Sequence, residues 1–258
     1  MNVSDSERIA AILEKQGYCP SDKKVADLII VNACSVRQKA VDRIWGGIKK
    51  WQNAKKEIVL TGCVLPADRQ KFAQKGIGYS NFHVKDYFDI QPVRQGNIAY
   101  VPIMIGCDNF CSYCAVPLTR GREISRSMED VISDVKRALK DGYKEILLLG
   151  QNVNSYKYDF DKLLKKIDSL PGDFKFNFIS SNPHDMTDEL IKTFCQLKKW
   201  PHELHLPAQT GDSVPPPELW RRWCVPESRF APGIILRPRP SGRLGSDRNS
   251  GRSHPWRW

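Results

Sequence analysis

Residues 99–114 read AYVPIMIGCDNFCSYC, and this stretch decides the fold of the central part of the chain. Its first seven residues form a predicted β-strand, and the loop that follows at once carries Cys107, Cys111 and Cys114. A tight loop with this spacing can direct three thiolates at three corners of a [4Fe–4S] cluster. Three ligands leave the fourth iron open, and an open iron can bind the amino and carboxylate groups of S-adenosylmethionine (SAM) and pass an electron to its sulfonium.

A structural zinc site is the main alternative for these cysteines. Zinc takes four closed ligands, usually as two Cys-x-x-Cys pairs, whereas this stretch holds one such pair, Cys111 and Cys114, and no histidine near in sequence. Tyr113 lies between these two cysteines, where its ring can cover a cluster and pack near an adenine ring. As a single residue, Tyr113 is equally compatible with a plain packing role.

Periodic segments around and after this loop predict a repeating strand–helix series. Strands are predicted at 99–105, 145–149, 175–180 and 203–206, with helices at 128–140, 160–170 and 188–197. Such repetition builds a (β/α) barrel that carries its chemistry on the loops after the strands. Because four strands cannot close a barrel, we expect a partial (β/α) half-barrel over residues 98–212.

An N-terminal α/β domain is predicted over residues 1–95. Helices are predicted at 4–16, 37–51 and 67–75, and strands at 28–31 and 57–61. Ser4 and Glu7 form a Ser-x-x-Glu capping box that predicts a helix start at Ser4. Alternating strands and helices imply a parallel sheet, and the loops after the two strands carry Cys34 and Cys63.

Candidate cofactor contacts follow the later strands of the series. Gly150, Gln151 and Asn152 end the second strand, which is a suitable place to meet the cofactor. Weaker candidates lie at the third and fourth strands and after the cysteine loop, where basic side chains can meet a SAM carboxylate or an RNA phosphate. These are Ser180, Ser181, His205, Arg120, Arg122 and Arg126.

Charge is distributed unevenly between the body of the chain and its end. The net charge of the 258 residues is +11, and residues 213–258 hold nine arginines, no lysine and three acidic residues. Their abrupt change in composition favours an aberrant end, such as a frameshift, over a basic RNA-binding tail, and we expect it to be disordered. The remaining charge is compatible with RNA binding but does not establish it.

No stretch of the sequence is apolar enough to span a membrane or to act as a signal peptide. We therefore expect a cytoplasmic protein without a membrane partner, in which the eight cysteines are metal ligands or buried thiols rather than disulfides.

Several separated motifs resemble the methylthiotransferase family of radical SAM enzymes. The cysteine loop and its flank read GCDNFCSYCAVPLTRGREISRS, and residues 32–46 read NACSVRQKAVDRIWG. Three further segments agree: LLLGQNVNSY at 147–156, FISSNPHDMTDEL at 178–190 and ELHLPAQTGD at 203–212. The segment at 34–37 is most similar to the branch that modifies N6-isopentenyladenosine beside the anticodon of tRNA.

The resemblance implies a cofactor set, a reaction and partners. It implies two [4Fe–4S] clusters and SAM, with Cys34 and Cys63 as two ligands of the N-terminal cluster and the first ligand missing because the chain starts at Met1. It implies conversion of C2–H to C2–SCH3 on tRNA, supported by a flavodoxin-type electron donor, by a monomeric protein. Cys19 and Cys195 are expected not to be ligands.

Three alternatives remain open at this point. Other branches of the family modify an aspartate of a ribosomal protein or threonylcarbamoyl-adenosine in tRNA. A reading of another class is an inactive iron–sulfur remnant or an electron carrier. Because further barrel elements and an RNA-binding β-barrel are not found in the sequence, we expect the polypeptide as written to have poor stability and little or no full activity, so that iron-loaded protein fails to make methylthio-adenosine in tRNA.

Overall fold

The structure is a computed structural model that describes residues 1–34, 38–81, 87–92 and 96–207, together with the backbone of 235–236. Its N-terminal part alternates helices and strands. The elements are α1 (Asn2–Lys15), β1 (Leu28–Cys34), α2 (Gln38–Asn53), β2 (Glu57–Cys63), α3 (Pro66–Ala73) and β3 (Gly78–Tyr79). The three strands form a parallel sheet in the order β1-β2-β3.

Apolar side chains of the strands and helices close a small core in this part. Leu60 and Val64 are fully buried, and Trp45 of α2 stacks on Phe72 of α3 with ring centroids 4.2 Å apart. Burial of such side chains is the main favourable term in folding. The predicted α/β class is therefore confirmed for this part of the chain.

The second part begins with the strand that precedes the cysteine loop. Its elements are β4 (Ile98–Pro102), β5 (Met104–Ile105), α4 (Val116–Arg120), β6 (Ile124–Ser125), α5 (Met128–Lys140), β7 (Glu145–Leu149), α6 (Phe160–Asp168), β8 (Lys175–Phe178), α7 (Asp188–Gln196) and β9 (Glu203–Leu204). Strands β4, β7 and β8 form a parallel sheet in that order, and β5 pairs with β6 in antiparallel fashion.

The predicted fourth strand does not extend this sheet. The amides of Phe176 and Phe178 on β8 donate instead to the Lys199 carbonyl and the Asn177 Oδ1 atom, and the Ser180 amide, just after β8, donates to the His205 Nδ1 atom. Strand β9 pairs in parallel with a two-residue strand, β10 (Ile235–Leu236). The sequence predicts no strand in the tail, so β10 differs from that prediction; the other residues from 208 onward lie outside the described residues.

A large aromatic cluster lies between the second sheet and its helices. Phe178, Phe194 and Trp200 are buried, and their ring centroids lie 5.0 to 5.6 Å apart. The predicted helix at 128–140 and the predicted strand at 145–149 are confirmed to the residue. The proposed boundaries of the domains, 1–95 and 98–212, stay a prediction.

The capping box predicted at Ser4 is wrong. Helix α1 begins at Asn2 with Met1 at the N-cap position, and no side chain caps it. Ser4 and Glu7 are buried within the helix, on the face that packs toward the second part of the chain. A side chain that points into an interface cannot turn back to the helix backbone, so the sequence pattern does not act as a cap here. The helices in the described part of the chain are all too short or too polar to cross a bilayer.

Candidate SAM and iron–sulfur site

The cysteine loop starts at a glycine whose backbone no other residue adopts easily. Gly106 has φ +76°, and a Cβ atom built on it would lie 2.0 Å from the Arg122 carbonyl oxygen. The next amide, of Cys107, donates to the Gly121 carbonyl at 3.2 Å. The close approach of the segment 121–122 therefore fixes the direction in which Cys107 leaves β5.

The three loop cysteines line one cavity of about 240 Å³, together with Tyr113. Cys107 is buried, whereas Cys111 and Cys114 are half-buried. A turn in which the Cys114 amide donates to the Cys111 carbonyl at 2.9 Å brings the last two cysteines to the same side. The structure thus joins the three residues that the sequence predicts to act together.

The Cys107 thiol lies in a setting that disfavours the free thiolate. Burial raises the pKa of the Cys107 thiol, although the Asn109 amide donates to its sulfur at 3.4 Å and opposes that rise. Burial and a hydrogen bond with Cys111 raise the pKa of Tyr113. A bound cation deprotonates coordinating thiols outright, so this loop suits metal ligation better than it suits a free nucleophile.

A [4Fe–4S] cluster and a single metal ion place different demands on the spacing of their cysteine ligands. Over the described ranges, up to residue 207, no three His, Cys, Asp or Glu side chains converge closely enough to hold one metal ion. A [4Fe–4S] cluster binds each of its cysteines through a different iron and so needs them farther apart than a zinc ion does. Three cysteines spread along one cavity therefore fit a cluster.

The opposite wall of the cavity is polar and comes from the ends of the parallel strands. It includes Gln151 and Asn152 after β7, Ser180 and Ser181 after β8, and His205 after β9. Gly150 lies outside the lining; a Cβ atom there would meet the Met104 Cγ at 2.6 Å, so its role is to let the strands pack. Chemistry at the carboxyl ends of parallel strands is the arrangement typical of (β/α) barrels.

Three polar atoms of this wall lack a hydrogen-bond partner within the described part of the chain. They are the Gln151 Oε1, Asn152 Oδ1 and Ser181 Oγ atoms, all buried. Buried polar atoms are normally satisfied, so a set of unsatisfied acceptors on one wall calls for a ligand with N–H or O–H groups. The ammonium, ribose hydroxyls and adenine amino group of SAM are donors of this kind, and the wall therefore fits SAM.

Sequence reasoning missed Asp185, which joins two parts of the cavity wall. Its Oδ2 atom accepts from the side-chain amides of Asn152 at 2.5 Å and Asn109 at 3.3 Å, and its Oδ1 atom lies 2.8 Å from the His184 Nδ1. The only sequence signal is the Pro-His-Asp run of the resemblance, because the two asparagines lie 33 and 76 residues away.

Two of the three arginines that are candidates to meet SAM or RNA are buried in ion pairs. Arg120 is buried, and its guanidinium binds Asp5 at 2.7 Å and the Cys63 sulfur at 2.8 Å. Arg126 is also buried and pairs with Asp134 at 3.1 Å, while Arg122 is exposed, pairs with Asp108 at 3.0 Å and lies over the Phe110 ring. A buried guanidinium needs anionic partners, and distant segments supply them.

The two N-terminal cysteines end neighbouring strands. Cys34 and Cys63 are the last pair in the parallel register of β1 and β2. Gly62 has φ +91°, and a Cβ atom there would approach the Ala33 carbonyl to 2.5 Å, so only glycine lets β2 end this close to β1. Burial raises the pKa of the Cys63 thiol, and Arg120 opposes this rise. Cys19 and Cys195 are exposed and lie elsewhere.

Family models recognise both parts of the chain. The radical SAM superfamily model matches residues 101–228, which include the cysteine loop and the strands that form the cavity. The chain belongs to the radical SAM superfamily. A second model, described as uncharacterized protein family UPF0004, matches residues 1–80 of this radical SAM protein.

Curated relatives extend the similarity across most of the chain. The tRNA-2-methylthio-N(6)-dimethylallyladenosine synthase of Finegoldia magna is 38% identical over 266 residues, which cover 86% of this chain and 58% of that protein. The synthase of the same name from Geobacter sulfurreducens is 37% identical over 257 residues, which cover 83% of this chain and 58% of that protein. The radical SAM chain described here thus spans less than two thirds of the length of these relatives.

A solved structure shares the fold. The radical SAM methyltransferase TsrM from Kitasatospora setae, with cobalamin and a [4Fe–4S] cluster bound, superposes with a TM-score of 0.50 over 90% of this chain and 56% of that chain. The two sequences are 13% identical, so the likeness concerns the radical SAM fold alone.

Proposed function

We propose that this chain belongs to an enzyme that methylthiolates N6-isopentenyladenosine in tRNA by radical SAM chemistry. The observation that carries the proposal is the cavity lined both by three cysteines and by Gln151, Asn152 and Ser181, whose buried Oε1, Oδ1 and Oγ atoms lack a partner among the described residues. The names of the curated relatives support the choice of a methylthio group and of tRNA.

The roles of the residues follow from their places in the cavity. Cys107, Cys111 and Cys114 would hold a [4Fe–4S] cluster, and Gln151, Asn152 and Ser181 would orient SAM against it. When bound, the cluster supplies one electron for reductive cleavage of SAM. Tyr113 lines the cavity with about half of its surface exposed, and its ring would cover the adenine ring. Cys107 is buried, which limits the access of water to that part of the site.

A second cluster would be held near the first by Cys34 and Cys63. These residues end adjacent strands, and the Arg120 guanidinium links Cys63 to the helix that directly follows the cysteine loop. A sulfur donor close to the radical SAM site is needed because carbon radical chemistry forms a C–S bond only where sulfur is within reach.

The outer side of the cysteine loop suits an RNA base. Phe110 and Tyr113 are exposed, and the exposed Arg122 lies over the Phe110 ring with its guanidinium carbon 5.1 Å from the centroid. Exposed aromatic and guanidinium planes are the groups on which unstacked RNA bases pack.

We include in this proposal a flavodoxin-type electron donor, a monomeric state and a cytoplasmic location.

Two measurements test the proposed function. The full chain, loaded with iron and sulfide without oxygen and given dithionite and SAM, should release 5′-deoxyadenosine, and Cys111→Ser should abolish the release while Cys195→Ser retains it. An electron carrier or an inactive remnant would hold iron without cleaving SAM, and this result would refute the proposal.

The substrate is tested in cells. Nucleosides prepared from the tRNA of a strain that lacks the gene should contain N6-isopentenyladenosine without its 2-methylthio derivative. If the strain still contains 2-methylthio-N6-isopentenyladenosine but has lost the methylthio group from a ribosomal aspartate or from threonylcarbamoyl-adenosine, the enzyme belongs to another branch.

A further inference from the structure

Asp185 lies behind the polar wall of the cavity and binds both asparagines that form it. Asn109 belongs to the cysteine loop and Asn152 follows β7, and both side-chain amides donate to the same oxygen, Asp185 Oδ2. Asp185 itself does not line the cavity. It therefore connects the cluster loop to the second strand of the sheet without exposing its own charge to a ligand there.

This contact decides which end of the Asn152 amide faces the cavity. A carboxylate accepts hydrogen bonds and cannot donate them, so the NH2 group of Asn152 must point toward Asp185. The Oδ1 atom then points away from Asp185; it is buried and has no partner within the described residues. Asn152 lines the cavity and is only 2% exposed, so this acceptor is buried in the wall, where a donor of a ligand packed against Asn152 would satisfy it.

The turn that carries Asp185 is held in place by a reciprocal pair. The Asn182 amide donates to the Asn154 Oδ1 at 2.7 Å, and the Asn154 side-chain amide donates to the Asn182 carbonyl at 2.7 Å. The Asn182 side chain also caps the 3-10 turn Pro183–Asp185 by accepting from the His184 amide at 3.1 Å. These hydrogen bonds hold the turn that carries Asp185 against the turn that carries Asn152, and so fix where the Asp185 carboxylate lies relative to Asn152.

We propose that Asp185 is a positioning residue that sets the orientation of the Asn152 amide, so that Asn152 Oδ1 accepts from a donor group of SAM. The inference rests on the proposed function, because it takes SAM as the ligand of the cavity. It goes beyond it by assigning a residue outside the cavity to the selection of that ligand's donors.

A pair of reciprocal substitutions tests the orientation. Asp185→Asn allows the Asn152 amide to flip, and SAM affinity should fall about tenfold, the loss expected for one hydrogen bond to a buried acceptor. Asn152→Asp places two carboxylates together and should weaken SAM at least as much. In N152D/D185N, the new amide at 185 can donate to the new carboxylate at 152, which again offers an oxygen to the cavity, so most of the affinity should return.

The measurement is equilibrium dialysis of radiolabelled SAM against the iron-loaded full chain, with iron per chain determined for each variant. The exposed Asp173→Asn serves as the matched control and should leave SAM affinity unchanged. Iron content should stay at the wild-type value in every variant. Equal affinity of D185N and the wild-type chain, or a double variant no better than the weaker single one, would overturn the inference.

A second readout does not depend on SAM. The urea midpoints of the same four chains measure the coupling of the two side chains, and the double variant should recover part of what the single variants lose. Midpoint shifts that simply add would contradict the inference. A wild-type chain that fails to bind SAM would refute the proposed function instead, and the orienting role of Asp185 would then be judged by the midpoints alone.

Discussion

The guanidinium of Arg120 binds the sulfur of Cys63 through its Nε atom at 2.8 Å, across 57 positions of sequence. The same guanidinium donates to Asp5 Oδ2 at 2.7 Å, and the Tyr87 hydroxyl donates to the other oxygen of Asp5 at 2.6 Å. Helix α4, strand β2, helix α1 and the segment between the two sheets thus meet at one buried group of charges. Through this group, Cys63 is connected to helix α4, which follows the radical SAM cysteine loop.

Replacement of Arg120 should be costly for stability. Arg120→Met removes the guanidinium that pairs with the fully buried Asp5 carboxylate, and removal of one member of a buried pair costs about 3–5 kcal/mol. Urea unfolding of the full chain measures the change. Arg122→Met, which breaks an exposed pair with Asp108, should change the free energy of unfolding by less than about 1 kcal/mol. Equal effects of the two variants would contradict a buried, structural Arg120.

Gly106 should tolerate no side chain. Gly106→Ala places a Cβ atom 2.0 Å from the Arg122 carbonyl, so the cysteine loop must shift in addition to the strain of the positive φ. Gly142→Ala has a similar φ, +90°, but nothing within 4 Å, and should cost about 1–2 kcal/mol from strain alone. Iron bound per chain should fall in the first variant and stay at the wild-type level in the second. Retention of iron by Gly106→Ala would show that the loop does not need this close approach.

The ring of Tyr113 should contribute to SAM binding, whereas its hydroxyl should not. Tyr113 lines the cavity with about half of its surface exposed, and stacking of a base on an aromatic ring is worth about 1–3 kcal/mol. Tyr113→Phe should keep the wild-type dissociation constant for SAM, and Tyr113→Ala should raise it about tenfold. Phe110→Ala, on the exposed side of the same loop, should leave SAM affinity unchanged. A weaker affinity in Tyr113→Phe would indicate that the hydroxyl, rather than the ring, contacts the ligand.

Stability should decline at alkaline pH, in part because of Tyr156. Burial raises the pKa of Tyr156, whose hydroxyl donates to the Arg126 carbonyl at 2.7 Å. Its folded pKa lies above the unfolded value of about 10, so its contribution is complete below pH 10 and is lost as the pH rises toward the folded pKa.

Tyr156→Phe separates the two effects of this residue. At pH 7 it should lower the free energy of unfolding by about 1 kcal/mol, the net worth of one hydrogen bond. Above pH 10 its stability should fall less steeply than that of the wild-type chain, while Tyr87, whose pKa burial also raises, keeps part of the slope. Tyr158→Phe, a partly exposed control, should unfold at the wild-type urea concentration at pH 7. Identical alkaline slopes for Tyr156→Phe and the wild-type chain would contradict this account.

Most of the regular structure could be predicted from the sequence because it depends on local periodicity. The apolar face of 128–140 and the apolar run at 146–149, preceded by Glu145, yielded α5 and β7 with their observed bounds. The split of the predicted strand at 99–105 into β4 and β5 could not be foreseen. It arises because the Ile103 amide donates to Leu149 while the Ile103 carbonyl accepts from Arg126, two partners from different elements.

The sequence predicted the cysteines of the candidate site but not the polar contacts around them. The spacing of Cys107, Cys111 and Cys114 predicted a shared site, and the structure places all three on one cavity with Gln151 and Asn152. Asp185 was missed, and Arg120 and Arg126, candidates for a ligand contact or a solvated basic loop in the sequence, are buried in ion pairs. A sequence pattern does not show which acidic residue will pair with a given arginine. Without that partner, the burial of the arginine cannot be inferred.

The sequence by itself determined the order of strands and helices, the cysteine loop at the end of a strand and the resemblance to radical SAM methylthiotransferases, because each depends on residues a few positions apart. Only the tertiary structure decided that Asn152 donates to Asp185, that Arg120 joins Cys63 to Asp5 and that the fourth strand pairs outside the sheet. These features depend on which distant polar groups meet out of water, where an unpaired charge or amide costs more than any local preference.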